Sequence, residues 1–265
     1  GLAGLSAAYH LRDKADVTIF ERETRLGGRV LTSKEPSGEH GAESLLDSEC
    51  ELCDLLAELG IEITPCLTEP RYLFHGRYAT GAPDKAGEQL LPRESANRIA
   101  KLFELVRLEH WPKTTKKFGQ WLSSFLEGDK DAMRFVRMLL AGETCAPIRH
   151  LSTRYSLESL SSLSNEEWYR IEGGSATLAR ELFRQSKACL QTSAHVSRVE
   201  QIRGGVEIRW REGGMHKSEI FQAAIIATPS GERLLGKPVR GHFHGYLNIL
   251  LGYHARPQVK ERPDL

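Results

Sequence analysis

The sequence predicts an α/β fold with a largely helical insertion, and three observations predict it. The chain opens on a glycine corner, Gly1-Leu2-Ala3-Gly4, that leads into helical text and then into the apolar run Val17-Thr18-Ile19-Phe20. From Glu94 to about Ala141 apolar residues recur at three- and four-residue spacing, the mark of amphipathic helices. Past Ala194 the spacing shifts towards two, and glycine pairs at Gly204-Gly205 and Gly213-Gly214 mark the turns of a three-stranded meander.

Each element follows from local signals. Leu5 to roughly Ala15 reads as a helix that begins at the glycine corner, and Val17–Phe20 as a parallel strand. Arg29–Ser33 is extended, and the segment from Gly38 to Ala42 is a glycine-bounded loop or short strand. Ser48 is placed to cap a helix running to about Leu59, with Gly60 as its stop. Arg71–Thr80, centred on Gly76, reads as a small hairpin. In the helical stretch Leu102, Leu105, Val106 and Leu108 form one apolar set, and Phe135, Met138 and Leu139 another. After Gly173-Gly174 a helix runs from Ala176 to about Lys187. Val196–Ile202, Val206–Trp210 and Lys217–Phe221 are the meander strands, and the continuous run Ala223–Ala227 reads as a strand buried on both faces.

The glycine corner carries the chemistry. Gly1–Leu5 matches the tail of a G-x-G-x-x-G turn, in which bare backbone approaches a pyrophosphate and the helix start offers N–H groups to it. The first glycine of such a turn, and the strand before it, would lie upstream of residue 1, so the chain reads as an internal segment of a longer protein. Glu21 stands 20 residues beyond Gly1, at the end of the apolar run. That is where a carboxylate hydrogen-bonds ribose hydroxyls, and it would repel a 2′-phosphate, which argues against NADP.

Bulk properties narrow the class. The 265 residues are 40% apolar and 27% charged, with 36 basic against 35 acidic side chains. A net charge of +1 favours neither nucleic acid nor an anionic membrane. No apolar stretch approaches the roughly 20 residues that span a bilayer. Five scattered cysteines suit a reducing compartment better than a disulfide framework, which makes the cytoplasm the expected location.

Glu21 followed by Arg25-Leu26-Gly27-Gly28-Arg29 resembles the signature of the flavin-dependent amine oxidase superfamily. That superfamily takes in monoamine and polyamine oxidases, L-amino-acid oxidases, protoporphyrinogen oxidases and carotenoid desaturases. The likeness covers most of residues 1–60 and 168–255. It implies FAD as cofactor and a Rossmann-like FAD-binding domain over residues 1–60 and 168–235, with the meander as crossover. It also implies an inserted, largely helical substrate domain over 61–167 and 236–265, with both ends of the fold incomplete. By the same resemblance Gly1, Leu2, Ala3 and Gly4 carry the pyrophosphate, and Glu21 holds the adenosine ribose. Gly28 belongs to the cofactor-binding set, and Arg29 beside it places a guanidinium by the phosphates. Gly41-Ala42 matches the segment whose bare backbone passes the flavin ring, Val196 the strand residue that meets adenine, and Ala227-Thr228 the loop that closes over the pyrophosphate. Two departures are visible: Asn248 aligns where many amine oxidases have a lysine, and Ser44 stands where an aromatic residue is common.

Other groupings have plainer readings. Cys50 and Cys53 spell C-x-x-C inside an amphipathic helix with no second pair, a structural arrangement. His242 and His244 lack further ligands for a metal. Lys113, Lys116 and Lys117 among Trp111, Phe118 and Trp121 read as the wet face of a helix rather than a nucleic-acid patch. Tyr72, Phe74 and Tyr78 fit a packed hairpin or the lining of a substrate cavity. The function implied is hydride transfer from a small organic molecule to flavin N5, with oxygen or another acceptor taking the electrons. No catalytic acid or base stands out. The alternatives are a porphyrinogen-oxidising or desaturase-type member, or a nucleotide-binding homologue without catalysis.

Overall fold

Leu2–Leu11 forms the first helix, α1, because the Leu5 N–H bonds back to the Gly1 carbonyl at 3.2 Å and closes its first turn. The helix thus starts three residues before the predicted Leu5. The computed structural model describes residues 1–34, 37–41, 45–46, 50–66, 70–109, 111–144, 146–165, 167–229 and 231–238. Thr18–Phe20 is strand β1, then β2 (Thr32–Lys34) and β3 (Ser37–Glu39) form an antiparallel pair. Leu45–Leu46 is β4, and α2 spans Cys50–Glu58. Ser48, the expected cap of α2, lies outside the described residues. Its other end is as expected: Gly60 has φ +71°, the Ile61 N–H bonds the Leu56 carbonyl at 2.9 Å, and the Gly60 N–H bonds Ala57 at 3.0 Å. That is a Schellman stop, completed by the apolar contact of Ile61 and Leu56 in one core.

The first core gathers Leu5 and Tyr9 of α1, Leu56 and Leu59 around the end of α2, and Leu178, Ala179 and Leu182 of a later helix. The Tyr9 hydroxyl donates to Glu58 Oε1 at 2.6 Å, which ties α1 to α2. β5 (Ile63–Pro65) and β4 both pair antiparallel with β8 (Trp168–Ile171), giving a three-stranded sheet.

Between those strands lies the second core. β6 (Arg71–Phe74) and β7 (Arg77–Thr80) form the predicted hairpin, with His75 at φ +50° and Gly76 at φ +76°. Two positive φ values make the type I′ turn that suits strand twist. α3 (Pro83–Leu90), α4 (Arg93–Arg107), α5 (Phe118–Phe125), α6 (Lys130–Thr144) and α7 (Thr153–Asn165) follow. Ile99, Leu102, Phe103 and Val106 of α4 form the expected three-and-four stripe and are fully buried against Phe135 and Leu140 of α6 and Leu157 of α7. Leu108, predicted to join that stripe, lies past the helix end and is 58% exposed. Arg107 donates to Asp84 at 2.8 Å and Arg98 to Asp129 at 3.2 Å, tying α4 to α3 and to the turn before α6. Burial works against ionisation of Asp84, but hydrogen bonds from Arg107 and the Lys85 N–H outweigh it and hold the carboxyl below its ordinary pKa.

The chain returns through α8 (Ala176–Ser186) to β9 (Cys189–Gln191), which pairs parallel with β1 in the register Thr18 with Cys189 and Phe20 with Gln191. β10 (His195–Ile202), β11 (Gly205–Glu212) and β12 (Met215–Phe221) form the predicted meander. It packs against the end of β1: Phe20 lies 4.8 Å from the Trp210 ring and 5.8 Å from Phe221. A short 3₁₀ turn at Gly231–Leu235 ends the described chain.

One expected strand is absent. Ala223–Ala227 runs without a ladder partner among the described residues, and Ile225 is 65% exposed. A run apolar on both faces needs a strand on each side to stay buried, and among the described residues β1 and β9 pair only with each other.

Candidate dinucleotide-binding site

The glycine corner and the R-x-G-G-R turn are pressed together. Gly27 (φ +104°) and Gly28 (φ +59°) occupy conformations that side chains disfavour, and a Cβ on Gly28 would sit 2.8 Å from Gly1 Cα. The turn is latched by Arg25, whose guanidinium donates to the carbonyls of Leu26 (3.1 Å), Val30 (3.0 Å) and Gly28 (3.0 Å). A planar five-donor group suits three carbonyls that no regular structure would satisfy. On the far side, Ala227 Cβ lies 3.4 Å from where a Gly4 Cβ would project. The N–H groups of Leu2, Ala3 and Gly4 precede the first intrahelical bond, so α1 presents an open start at this corner.

Glu21 faces the same corner. Its Oε2 is 3.3 Å from the Gly1 backbone nitrogen and its Oε1 accepts the Glu23 N–H at 3.0 Å, while only 13% of the side chain is exposed. Backbone bonds hold it there. Glu21 N–H donates to Gln191 and its carbonyl accepts the Ala194 N–H, both at 2.9 Å. Two residues past Ala194, Val196 is the second residue of β10 and packs against the small core of Ala194, Ile208 and Trp210. The structure therefore brings Gly1, Leu2, Ala3, Gly4, Glu21, Gly28 and Ala227 to one corner.

The remaining candidates are placed less directly. Arg29 is exposed next to Gly28, and among the described residues its guanidinium has no ion-pair or hydrogen-bond partner. Gly41 is needed for a chain crossing, since a Cβ there would collide with the Arg29 carbonyl. Thr228 is exposed beyond Ala227. Ala42 and Ser44, with His242, His244 and Asn248, lie outside the described residues.

A second helix start lies in the same unit and is already filled. Glu39 Oε1 accepts the Ser175 N–H at 2.9 Å, Thr32 Oγ1 accepts the Ala176 N–H at 3.0 Å, and Thr32 donates to Glu39 at 2.8 Å. These capping residues were not singled out from the sequence, because nothing local marks a partner more than a hundred residues away. The start of α1, by contrast, has no side-chain cap among the described residues.

Elsewhere the plain readings stand. Phe118 is fully buried and stacks on Trp121 at 5.7 Å, which stacks on Phe125 at 5.1 Å, so those aromatics belong to the core and not to a nucleic-acid surface. Phe74 meets Phe135 edge-on at 5.7 Å and Tyr72 meets it at 6.4 Å, as a packed hairpin requires. Burial, and then the charges of Glu143 and Asp84, push the Tyr72 phenol up to about 12. Cys53 packs on the first core. No group of three or more potential metal ligands occurs among the described residues.

Replacing Arg25 by alanine is expected to lower stability by about 1–3 kcal/mol, the cost of leaving part-buried carbonyls unpaired. Arg25→Lys should recover only part of that, because one ammonium cannot fork across three acceptors. Denaturant unfolding of the protein stripped of cofactor checks it, and a midpoint unchanged in Arg25→Ala would rule the latch out.

A carboxylate at a strand end, facing a glycine corner and an open helix start, is the geometry of an α/β nucleotide-binding corner. Comparison with known proteins narrows the class. A family model described as flavin containing amine oxidoreductase matches residues 2–243. The chain is 27% identical over 258 residues to an L-amino-acid oxidase of Mus musculus, covering 88% of this chain and 41% of that protein. A putrescine oxidase triple mutant has the same fold with a TM-score of 0.65 at 20% identity, covering 82% of this chain and 54% of its own. Cyclohexylamine oxidase from Brevibacterium oxydans IH-35A gives 0.63 at 21% identity with the same coverage. The chain thus spans about half or less of the length of these relatives. It belongs to the flavin-containing amine oxidoreductase family, and its cofactor is FAD.

Proposed function

We propose that this chain carries the FAD-binding machinery of an oxidoreductase that oxidises a small organic amine or amino acid. The observation that carries the reading is the Glu21 carboxylate aimed at the Gly1–Gly4 corner, with Gly28 closing against Gly1. The bare corner leaves the space a pyrophosphate needs, and the α1 N–H groups supply donors to it. Glu21 is an acceptor-only group suited to ribose hydroxyls, and the unpartnered Arg29 supplies a guanidinium to the phosphates. Gly41-Ala42, Val196 and Ala227-Thr228 complete the cofactor set.

When bound, the flavin supplies a hydride acceptor at N5. The two separate apolar cores support a division of labour. Residues 1–60 and 168–235 bind the cofactor, while 61–167 with 236–265 contribute to the substrate side, where orientation and exclusion of water are the protein's tasks. Oxygen or another small acceptor removes the electrons. No helix among the described residues is long and apolar enough to cross a membrane; the cytoplasm is the location proposed, on the usage of cysteine.

The test is anaerobic titration of the protein reconstituted with FAD. Alkylamines or L-amino acids are expected to bleach the flavin absorbance. Bleaching by porphyrinogens or polyenes in place of amines would move the protein to another branch, and failure to retain FAD would overturn the reading.

A further inference from the structure

The cleft that runs along α5 belongs to neither the dinucleotide corner nor the apolar cores. It is a groove of about 510 Å³ that is broadly open to solvent. Lys117, Arg137 and Arg149 line it together with Gln120, Ser123 and Ile148. Three elements supply the cations. Lys117 precedes α5, Arg137 is on α6, and Arg149 is in the turn before α7.

The fold fixes these elements against one another. The Phe118 N–H donates to the Leu151 carbonyl at 3.0 Å, and Lys117 Nζ donates to the His150 carbonyl at 3.4 Å. Gly119 packs at that end, where a Cβ would make ordinary contact with Ile148 and the Arg149 backbone at 3.6–3.7 Å. Ile148 is buried and forms an apolar floor.

The charge is one-sided. No carboxylate among the described residues lines the cleft. Arg134, one turn before Arg137 on α6, is paired with Asp131, but Arg137 and Arg149 have no ion-pair partner among the described residues. In a chain of net charge +1, three converging cations without a counter-charge are a local feature. Two planar guanidinium forks and an ammonium match the oxygens of a phosphate ester better than a single carboxylate, which would satisfy one fork only.

We infer that this cleft binds a small phosphorylated molecule, and that the site is separate from the cofactor corner. A nucleic acid is the poorer match. No aromatic residue among the described ones lines the cleft, so it offers no platform for bases.

Titration of the FAD-loaded protein with inorganic pyrophosphate at fixed ionic strength, followed by calorimetry, tests this. Saturable binding is expected, weakened at least tenfold in the R137A/R149A double variant, with flavin absorbance and unfolding midpoint unchanged. Ser123→Asp, which adds a negative charge to the wall, should weaken it similarly. Absence of saturable binding, or equal affinity in the double variant, would overturn the site. So would binding of anionic vesicles or oligonucleotides without binding of pyrophosphate. The cofactor reading fails separately, through loss of FAD with the cleft variants behaving as expected.

Discussion

Replacing Glu21 by alanine is expected to weaken FAD binding by about tenfold to a hundredfold, the equivalent of one or two charge-assisted hydrogen bonds of roughly 1.5–3 kcal/mol. The carboxylate is almost enclosed and its backbone is anchored on both sides, by Gln191 and by Ala194. Truncation should therefore remove acceptors without moving the strand. Glu21→Gln keeps the shape but swaps one acceptor for a donor, and it should fall between the two. Flavin fluorescence during titration of the cofactor-free protein measures both. If Glu21→Ala bound FAD as tightly as the unaltered chain, the carboxylate would have no part in the site.

Phe135→Ala is expected to cost about 3–5 kcal/mol of folding stability, a large share of the 5–15 kcal/mol that separates most domains from their unfolded states. Its ring is fully buried and meets Tyr72 and Phe74 of the β6–β7 hairpin, and a Cβ on Gly87 would be 3.7 Å from it. Removing it opens a cavity where α3, α6 and the hairpin meet. Phe135→Leu should cost less, about 1–2 kcal/mol, because most of the volume stays filled. Denaturant unfolding checks the size. A loss below 1 kcal/mol, joined to a changed KM, would instead place Tyr72 and Phe74 in a substrate cavity.

What could be read from the chain alone depended on how local each cause is. The Gly60 stop, the type I′ turn at His75-Gly76 and the meander turns follow from backbone conformations that only certain residues adopt, so their letters announce them. Glu21 was legible through spacing. Arg25 was not, because its three partners are backbone carbonyls, which every residue has. α7 went unnoticed for another reason: it contains five serines, poor helix formers in isolation. Ser156, Ser159, Ser162 and Ser164 turn their hydroxyls back on the carbonyls four residues earlier, and Leu157 and Leu160 anchor the helix in the core. β9 is three residues long and owes its existence to pairing with β1. Ala223–Ala227 shows the converse, since apolar content calls for a strand but only neighbours can make one.

The pairing of β1 with β9 also bears on how the molecule assembles. These strands come from nearly opposite ends of the described chain, and every residue of α3 to α7 lies in the loop they close. The entropy lost in closing a loop grows only slowly with its length, by about 0.6 kcal/mol per doubling, but long-range contacts form late. The helices can condense on near neighbours first and shorten the effective tether. The corner proposed to hold the nucleotide includes Glu21 at the end of β1, anchored on Gln191 of β9, so its geometry depends on the pairing of these two distant strands.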